Sequence, residues 1–242
     1  MTAALEAQLL AEIDEVIRRI EATVEDLRRA IDVGLQLLPP FLDHVRGMVL
    51  RGWERFVGFL GELWNQLREM LENPGSPSTL SGVADEWTTA VGGPVSAQIG
   101  YSQAGQLLTD DRWEGLAADA YRQNLPVQKA ALGDVSSILV EGLRSALDKV
   151  TTAIWVFWGI LLTGLAALVA AIIGALATSA TVIGLPAGPF IAAGGVLALL
   201  AAIRAGHWKL EADATSANLD LLAAQNNNSA YPGGRWPEAV TP

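Results

Sequence analysis

The sequence predicts an all-α protein: an elongated bundle of αα-hairpins, one of them apolar enough to enter a membrane. Three observations predict it. Apolar residues recur with a 3.5–3.6 period along most of the chain. The few β-branched clusters lie inside those helical patterns. The 53 residues from Thr151 to Ile203 carry no charged side chain at all.

Composition narrows the function classes. The 242 residues are 51% apolar and 17% charged, with a mean hydropathy of +0.31, which is too apolar for a disordered chain. A net charge of −10, from 16 Lys and Arg against 26 Asp and Glu with no basic block, argues against nucleic acid as a partner. The absence of cysteine excludes disulfides, thiolate metal sites and Cys nucleophiles. Two histidines, His44 and His207, are too few for a His-based metal site or triad, and no cofactor is expected. No Gly-x-Ser-x-Gly, phosphate loop or His-Glu-x-x-His occurs, so no enzymatic activity is expected. The acidic pairs Asp85-Glu86 and Asp110-Asp111 are read as residues of helix ends, where carboxylates favour the positive dipole. Met1 to Glu6 has neither a positive charge nor an apolar run, so this start predicts no secretory signal peptide.

Residues 1–73 read as an amphipathic helical hairpin. Leu10, Ile17, Val24, Ile31 and Leu38 are seven apart, and Ile13, Ile20 and Leu27 fill the intervening positions. That is a heptad seam, carried by Ile13, Ile17, Ile20, Val24, Leu27 and Ile31, and it weakens at Gly34. Ten charged residues between Glu12 and Arg29 occupy the other faces. Pro39-Pro40 ends the helix, because neither proline donates a backbone hydrogen bond. A second stripe follows through Leu42, Val45, Val49, Phe56, Phe59 and Leu63. The partner of the first seam is either this second helix folded back or another copy of the chain. Asn73-Pro74-Gly75-Ser76-Pro77-Ser78 is the clearest break.

Residues 79–150 read as a second helical hairpin. Its first helix is expected from Thr79 to Leu108, with a kink at Gly92-Gly93-Pro94. Its second runs through Leu125, Leu132, Leu139 and Leu147. Asp111 and Glu114 have the spacing of a capping box at its start. The turn carries Trp113-Glu114-Gly115, followed by Ala117-Ala118 and Tyr121. This pattern resembles the Trp-x-Gly family of type VII secretion substrates, which are helical hairpins with Trp-x-Gly at the turn. The resemblance covers residues 79–150 and implies that Trp113, Gly115 and Tyr121 form a turn that a secretion machine or partner recognises. The family's signal also places an acidic residue four positions after a tyrosine. Tyr101, Tyr121 and Tyr231 are followed there by Gly105, Leu125 and Arg235, so the resemblance implies export with a partner that carries the signal, or no export.

Residues 151–203 form the apolar hairpin. Ala153–Ala177 and Val182–Ile203 are uncharged runs of 25 and 22 residues, and a bilayer core of ~30 Å needs about 20. Arg144 and Lys149 precede the block and Arg204 and Lys209 follow it, so both ends lie on one side of a membrane. Trp155, Trp158 and Trp208 are placed for an interfacial belt. Small residues mark faces for close helix contact: Gly164, Ala166, Ala170 and Gly174 in the first run, Gly184, Gly188 and Ala192 in the second. Pro186 and Pro189 favour a loop or re-entrant start to the second run. Residues 204–242 read as a short helix to about Leu222 and a loosely held tail.

Three readings follow. The chain is a type VII secretion-related protein that inserts its hairpin into a membrane and assembles as a pore or channel, resembling α-helical pore-forming toxins in architecture only. Alternatively it is a resident two-span protein of the cytoplasmic membrane, or a soluble adaptor for a separately encoded toxin with its hairpin covered by a partner. The expected partners are membrane lipid and either further copies of the chain or a helical secretion partner. The expected location is membrane-associated after signal-peptide-independent secretion, or integral to the cytoplasmic membrane.

Overall fold

A computed structural model describes residues 3–103, 105–106, 112–181, 183–227 and 229–239. Among them there is no strand, and the expected all-α class holds. The helices are α1 (Ala3–Leu37), α2 (Asp43–Glu72), α3 (Pro77–Trp87), α4 (Gly93–Tyr101), α5 (Leu116–Asp134), α6 (Glu141–Ser179) and α7 (Gly188–Asn226). A π-helical turn, Thr88–Gly92, joins α3 to α4, and another, Val135–Val140, joins α5 to α6. The chain forms two compact units, Met1–Ser76 with Ile154–Leu210, and Pro77–Ala153 with Glu211–Pro242.

In the first unit α1 and α2 are an antiparallel hairpin. The prolines act as expected: α1 stops at Leu37, and Pro40–Leu42 is a 3₁₀ turn in which Leu42 N–H donates to Pro39 O at 3.0 Å. Arg46 donates to Leu35 O at 3.0 Å near the turn, and Ser76 Oγ donates to Glu6 Oε2 at 3.3 Å at the far end. The core of this unit draws on all four helices: Ile13, Ile20, Leu27 and Ile31 of α1, Val49, Phe56, Leu63 and Leu67 of α2, Leu161, Leu165, Leu168 and Ile172 of α6, and Ala192, Val196, Leu199 and Ile203 of α7.

In the second unit, α4 packs against α5 and the two π-helical turns pack against each other. They approach closely at Gly92, where a Cβ would lie 3.2 Å from Val140 Cγ1. Ser96 and Ser136 share a hydrogen bond of 2.9 Å, and Lys129 Nζ donates to Gln103 Oε1 at 3.0 Å. The kink expected at Gly92-Gly93-Pro94 takes the form of the first π-helical turn. Pro94 lacks an N–H and crowds the carbonyl four residues back, and the widened turn absorbs both effects. Nothing in the sequence explains the second one.

Three expectations about helix boundaries are corrected. The helix expected to reach Leu108 stops at Tyr101, beyond which Gly105 takes a φ of 82°; Leu107, Leu108, Asp110 and the Asp111 half of the capping box lie outside the described residues. Asp85 and Glu86 lie inside the helical run that continues from α3 through the π-helical turn into α4, not at a helix start; Arg144 lies 3.9 Å from Asp85. There is no separate helix after Arg204, because α7 continues without a break to Asn226. The tail beyond it is held in place. Tyr231 O–H donates to Ala131 O, its ring meets Trp236 at 6.0 Å, and Asn124 reaches Ala239 O at 3.5 Å. Burial, and secondarily the Asp134 carboxylate, raise the Tyr231 pKa above its usual 10.0.

Candidate functional site

The apolar hairpin is helical on both arms. α6 runs without interruption through its charge-free part to Ser179. The second arm begins later than the uncharged run does: Pro186 and Gly188 hold residues 183–187 in turns, and α7 starts at Gly188. Thr181 organises that turn, with its Oγ1 accepting from Gly184 N–H at 3.0 Å and its carbonyl from Leu185 N–H at 2.8 Å.

The arms pair antiparallel through glycines on facing positions. A Cβ at Gly164 would lie 2.6 Å from Leu199 Cδ1, one at Gly195 2.7 Å from Ala171 Cβ, and one at Gly206 3.1 Å from Phe157 Cδ2. At the turn, a Cβ at Gly188 would fall 1.9 Å from Ser179 Oγ and 2.8 Å from Ala175 O, and one at Gly184 would fall 2.2 Å from Thr178 O. Gly164 and Gly188 therefore sit at close contacts between the arms, Gly184 serves the tight turn rather than a helix contact, and Ala192 is fully buried. Ala166, Ala170 and Gly174 do not serve close contact. They are exposed, two residues or less from the wrong side of the buried Leu165–Leu168–Ile172 stripe, and at ~100° per residue that turns them away from α7. Ala171, Gly195 and Gly206, absent from the sequence reading, take that role.

The remaining face of each arm is apolar and open. Val156, Ile173, Ile191 and Leu197 are each between 40% and 46% exposed. Only 33% of the most apolar window in the helical run Leu116–Ser179, and 39% of that in Gly188–Asn226, is buried.

The three tryptophans differ from the expected belt. Trp158 is buried, and its indole N–H donates to Pro74 O at 3.1 Å, tying α6 to the loop after α2. Trp155 is half-buried, and its Nε1 is one of three buried side-chain atoms without a hydrogen-bond partner among the described residues. Only Trp208 is freely exposed, at 77%.

The heptad seam is resolved by depth. Ile13, Ile20, Leu27 and Ile31 are buried, whereas Ile17 and Val24 are half-buried. Ile17 lines a shallow groove with Trp64, Leu67 and Leu71 of α2, so the neighbour of the seam is the folded-back helix of the same chain. Thr23, which the heptad count passes over, is buried three residues after Ile20 and bonds Arg19 O at 2.6 Å. The charged residues from Glu12 to Arg29 are all exposed, with pairs such as Arg18–Glu15 at 3.0 Å.

The Trp-x-Gly turn has defined geometry. Gly115 has φ 102°, a conformation that disfavours any side chain, and it stands immediately before α5, accepting from Asp119 N–H at 3.0 Å. The Trp113 ring rests on Tyr121 at 5.4 Å, and Arg122 donates to Trp113 O at 2.8 Å. Trp113 stays 38% exposed, so it closes the hairpin end only partly.

No cluster of metal-ligating side chains occurs among the described residues. No family model, curated protein or solved structure matches this chain. The fold itself defines a class: an all-α protein with two helices long and apolar enough to cross a membrane.

Proposed function

We propose that this chain is a type VII secretion-related helical protein that inserts residues 153–203 into a membrane as an antiparallel hairpin, inserted copies assembling as a pore or channel. The observation that carries the proposal is the open face of α6 and α7. A core hairpin of a soluble bundle is apolar because it is covered. Here only 33% of one apolar window and 39% of the other is fully buried, the rest being half-buried or exposed, with no charge between Thr151 and Ile203 to solvate it. Lipid supplies the missing cover, and the exposed Ala166, Ala170 and Gly174 suit close approach of a second copy within it. Export is supported by the turn of Trp113, Gly115 and Tyr121, in which Trp113 remains accessible to a partner.

A soluble adaptor is the second reading. α1 and α2 already cover one side of the hairpin, and a protein partner would cover the other. Incubation with phosphatidylcholine–phosphatidylglycerol vesicles, followed by alkaline carbonate extraction, separates the two. Insertion leaves the protein in the carbonate-resistant pellet and releases trapped dye. A protein that stays in the supernatant and releases none is the adaptor.

A further inference from the structure

Resting on the insertion reading, we infer that α1 and α2 are a cover that must leave the apolar hairpin before it can span a bilayer, turning about residues 73–76. The two helices lie along the full height of the hairpin. At its turn, a Cβ at Gly34 of α1 would lie 2.7 Å from Leu185 Cδ1, and one at Gly52 of α2 would lie 3.0 Å from both Pro189 Cβ and Phe190 Cε2. At its base, Pro74 O accepts the Trp158 indole N–H at 3.1 Å. Between these points Phe56, Leu63 and Leu67 of α2 are buried in the same core as Leu161, Leu165 and Leu168.

The outer faces of the cover are incompatible with lipid. Every charged residue of α1 from Glu12 to Arg29 is exposed, as are Arg51, Glu54, Arg55, Glu62, Arg68 and Glu69 of α2. Were the hairpin to span a membrane with the cover attached, these charges would be carried to the depth of the hydrocarbon, where isolated charges are not tolerated on a lipid-facing surface. The closed bundle and the spanning hairpin are therefore alternative states of one chain. The chain has a suitable hinge. α2 ends at Glu72, α3 begins at Pro77, and Gly75 between them takes a φ of 70°. The paired seam of α1 and α2 lets them move as one hairpin.

The absence of native cysteine makes the test clean. Gly52→Cys with Pro189→Cys joins the cover to the hairpin after a shift of about half an ångström, since bridged Cβ atoms sit ~3.5–4.5 Å apart. Ala171→Cys with Gly195→Cys joins α6 to α7 within the hairpin and is the control. Each is incubated oxidised and reduced with the same vesicles and assayed by carbonate extraction and dye release. The oxidised cover lock should stay extractable and release no dye, and reduction should restore both signals; the control should insert in either state. An oxidised cover lock that inserts as well as its reduced form overturns the cover while leaving insertion standing. Wild-type protein that never inserts overturns both. If the first lock does not fold, Gly34→Cys with Leu185→Cys, where Leu185 Cγ lies 3.4 Å from a Cβ at Gly34, is assayed in the same way.

Discussion

Replacing Leu197 by arginine separates a lipid-facing helix from a packed one, because the two environments predict opposite costs. Leu197 lies near the middle of the helical part of the second arm and is 46% exposed. In solution an arginine there stays hydrated, and substitutions at such surface positions change stability by about 0.5 kcal/mol or less. In a membrane the same side chain sits near mid-bilayer and costs about 2.5–3.5 kcal/mol on insertion scales. At ~1.4 kcal/mol per tenfold, that lowers vesicle partition roughly a hundredfold. Leu168, only 1% exposed, is the counterpart. Leu168→Arg buries an unpaired charge in the solution core, which costs several kcal/mol and should lower the melting temperature before any membrane is present. The assay is flotation with vesicles beside thermal melting by far-UV circular dichroism. Leu197→Arg should melt like wild type and fail to float. If it floats like wild type, or melts as early as Leu168→Arg, the open face of α7 is not a lipid-facing surface.

Four further outcomes are expected. Ile20→Asp places a charge at a fully buried seam position and should destabilise the fold by about 3 kcal/mol or more in a denaturant titration; unchanged stability would mean that the seam does not pack. Gly188→Ala sets a Cβ 1.9 Å from Ser179 Oγ and 2.8 Å from a backbone carbonyl, and should cost about 1–3 kcal/mol by the same titration. Trp113→Ala removes an exposed ring that rests on Tyr121; it should leave a folded protein whose export from the native host is impaired, and equal secretion of both would reduce Trp113 to a structural role. Tyr231 has a raised pKa in the folded state, so its contribution is fully present below its unfolded pKa near 10.0 and is lost as pH rises through the folded value; Tyr231→Phe should remove that alkaline loss of stability, measured by melts across that range.

What could be read from the sequence follows from how far each signal reaches. Helix existence rests on local period, and the seam of α1 was legible down to Ile13, Ile20 and Leu27, because apolar spacing and burial report the same face. Gly34 looked like a flaw in that pattern, and the structure makes it the seat of Leu185, a residue about 150 positions away. No local rule carries that contact. The small-residue faces show the same limit. Gly164 and Gly188 were found because glycine at a helix contact is common, whereas Ala170 and Gly174 share their chemistry but point elsewhere. Only the orientation of α6 against α7 distinguishes them. Trp158 was assigned to an interface by its position near the end of an apolar run, and its bond to Pro74 depends on a loop more than eighty residues earlier. The exposure of α6 and α7 was also beyond the sequence, since an uncharged helix reads alike whether protein or lipid covers it.

The two arms are unequal, and that inequality constrains how the hairpin sits if it inserts. The uncharged part of α6 from Val150 to Ser179 is 30 residues, about 45 Å of helix. The helical, uncharged part of α7 from Gly188 to Ile203 is 16 residues, about 24 Å, against a hydrocarbon core of ~30 Å. The long arm can tilt to fit. The short arm needs additional apolar length at one end, and the chain offers it at the base: Ala205, Gly206 and Trp208 continue α7, and Arg204 before them has a stem long enough to snorkel its guanidinium toward the headgroups. That places exposed Trp208 at the level where tryptophan is favoured. Arg204→Ala should then deepen or leave unchanged the seating of the base, whereas Arg204→Asp, whose short stem cannot reach the interface, should weaken partition. Accessibility of a single cysteine at Trp208→Cys to a water-soluble maleimide reads the depth directly. Full labelling in vesicles, at the rate seen in solution, would place the base of the short arm outside the bilayer and refute this seating.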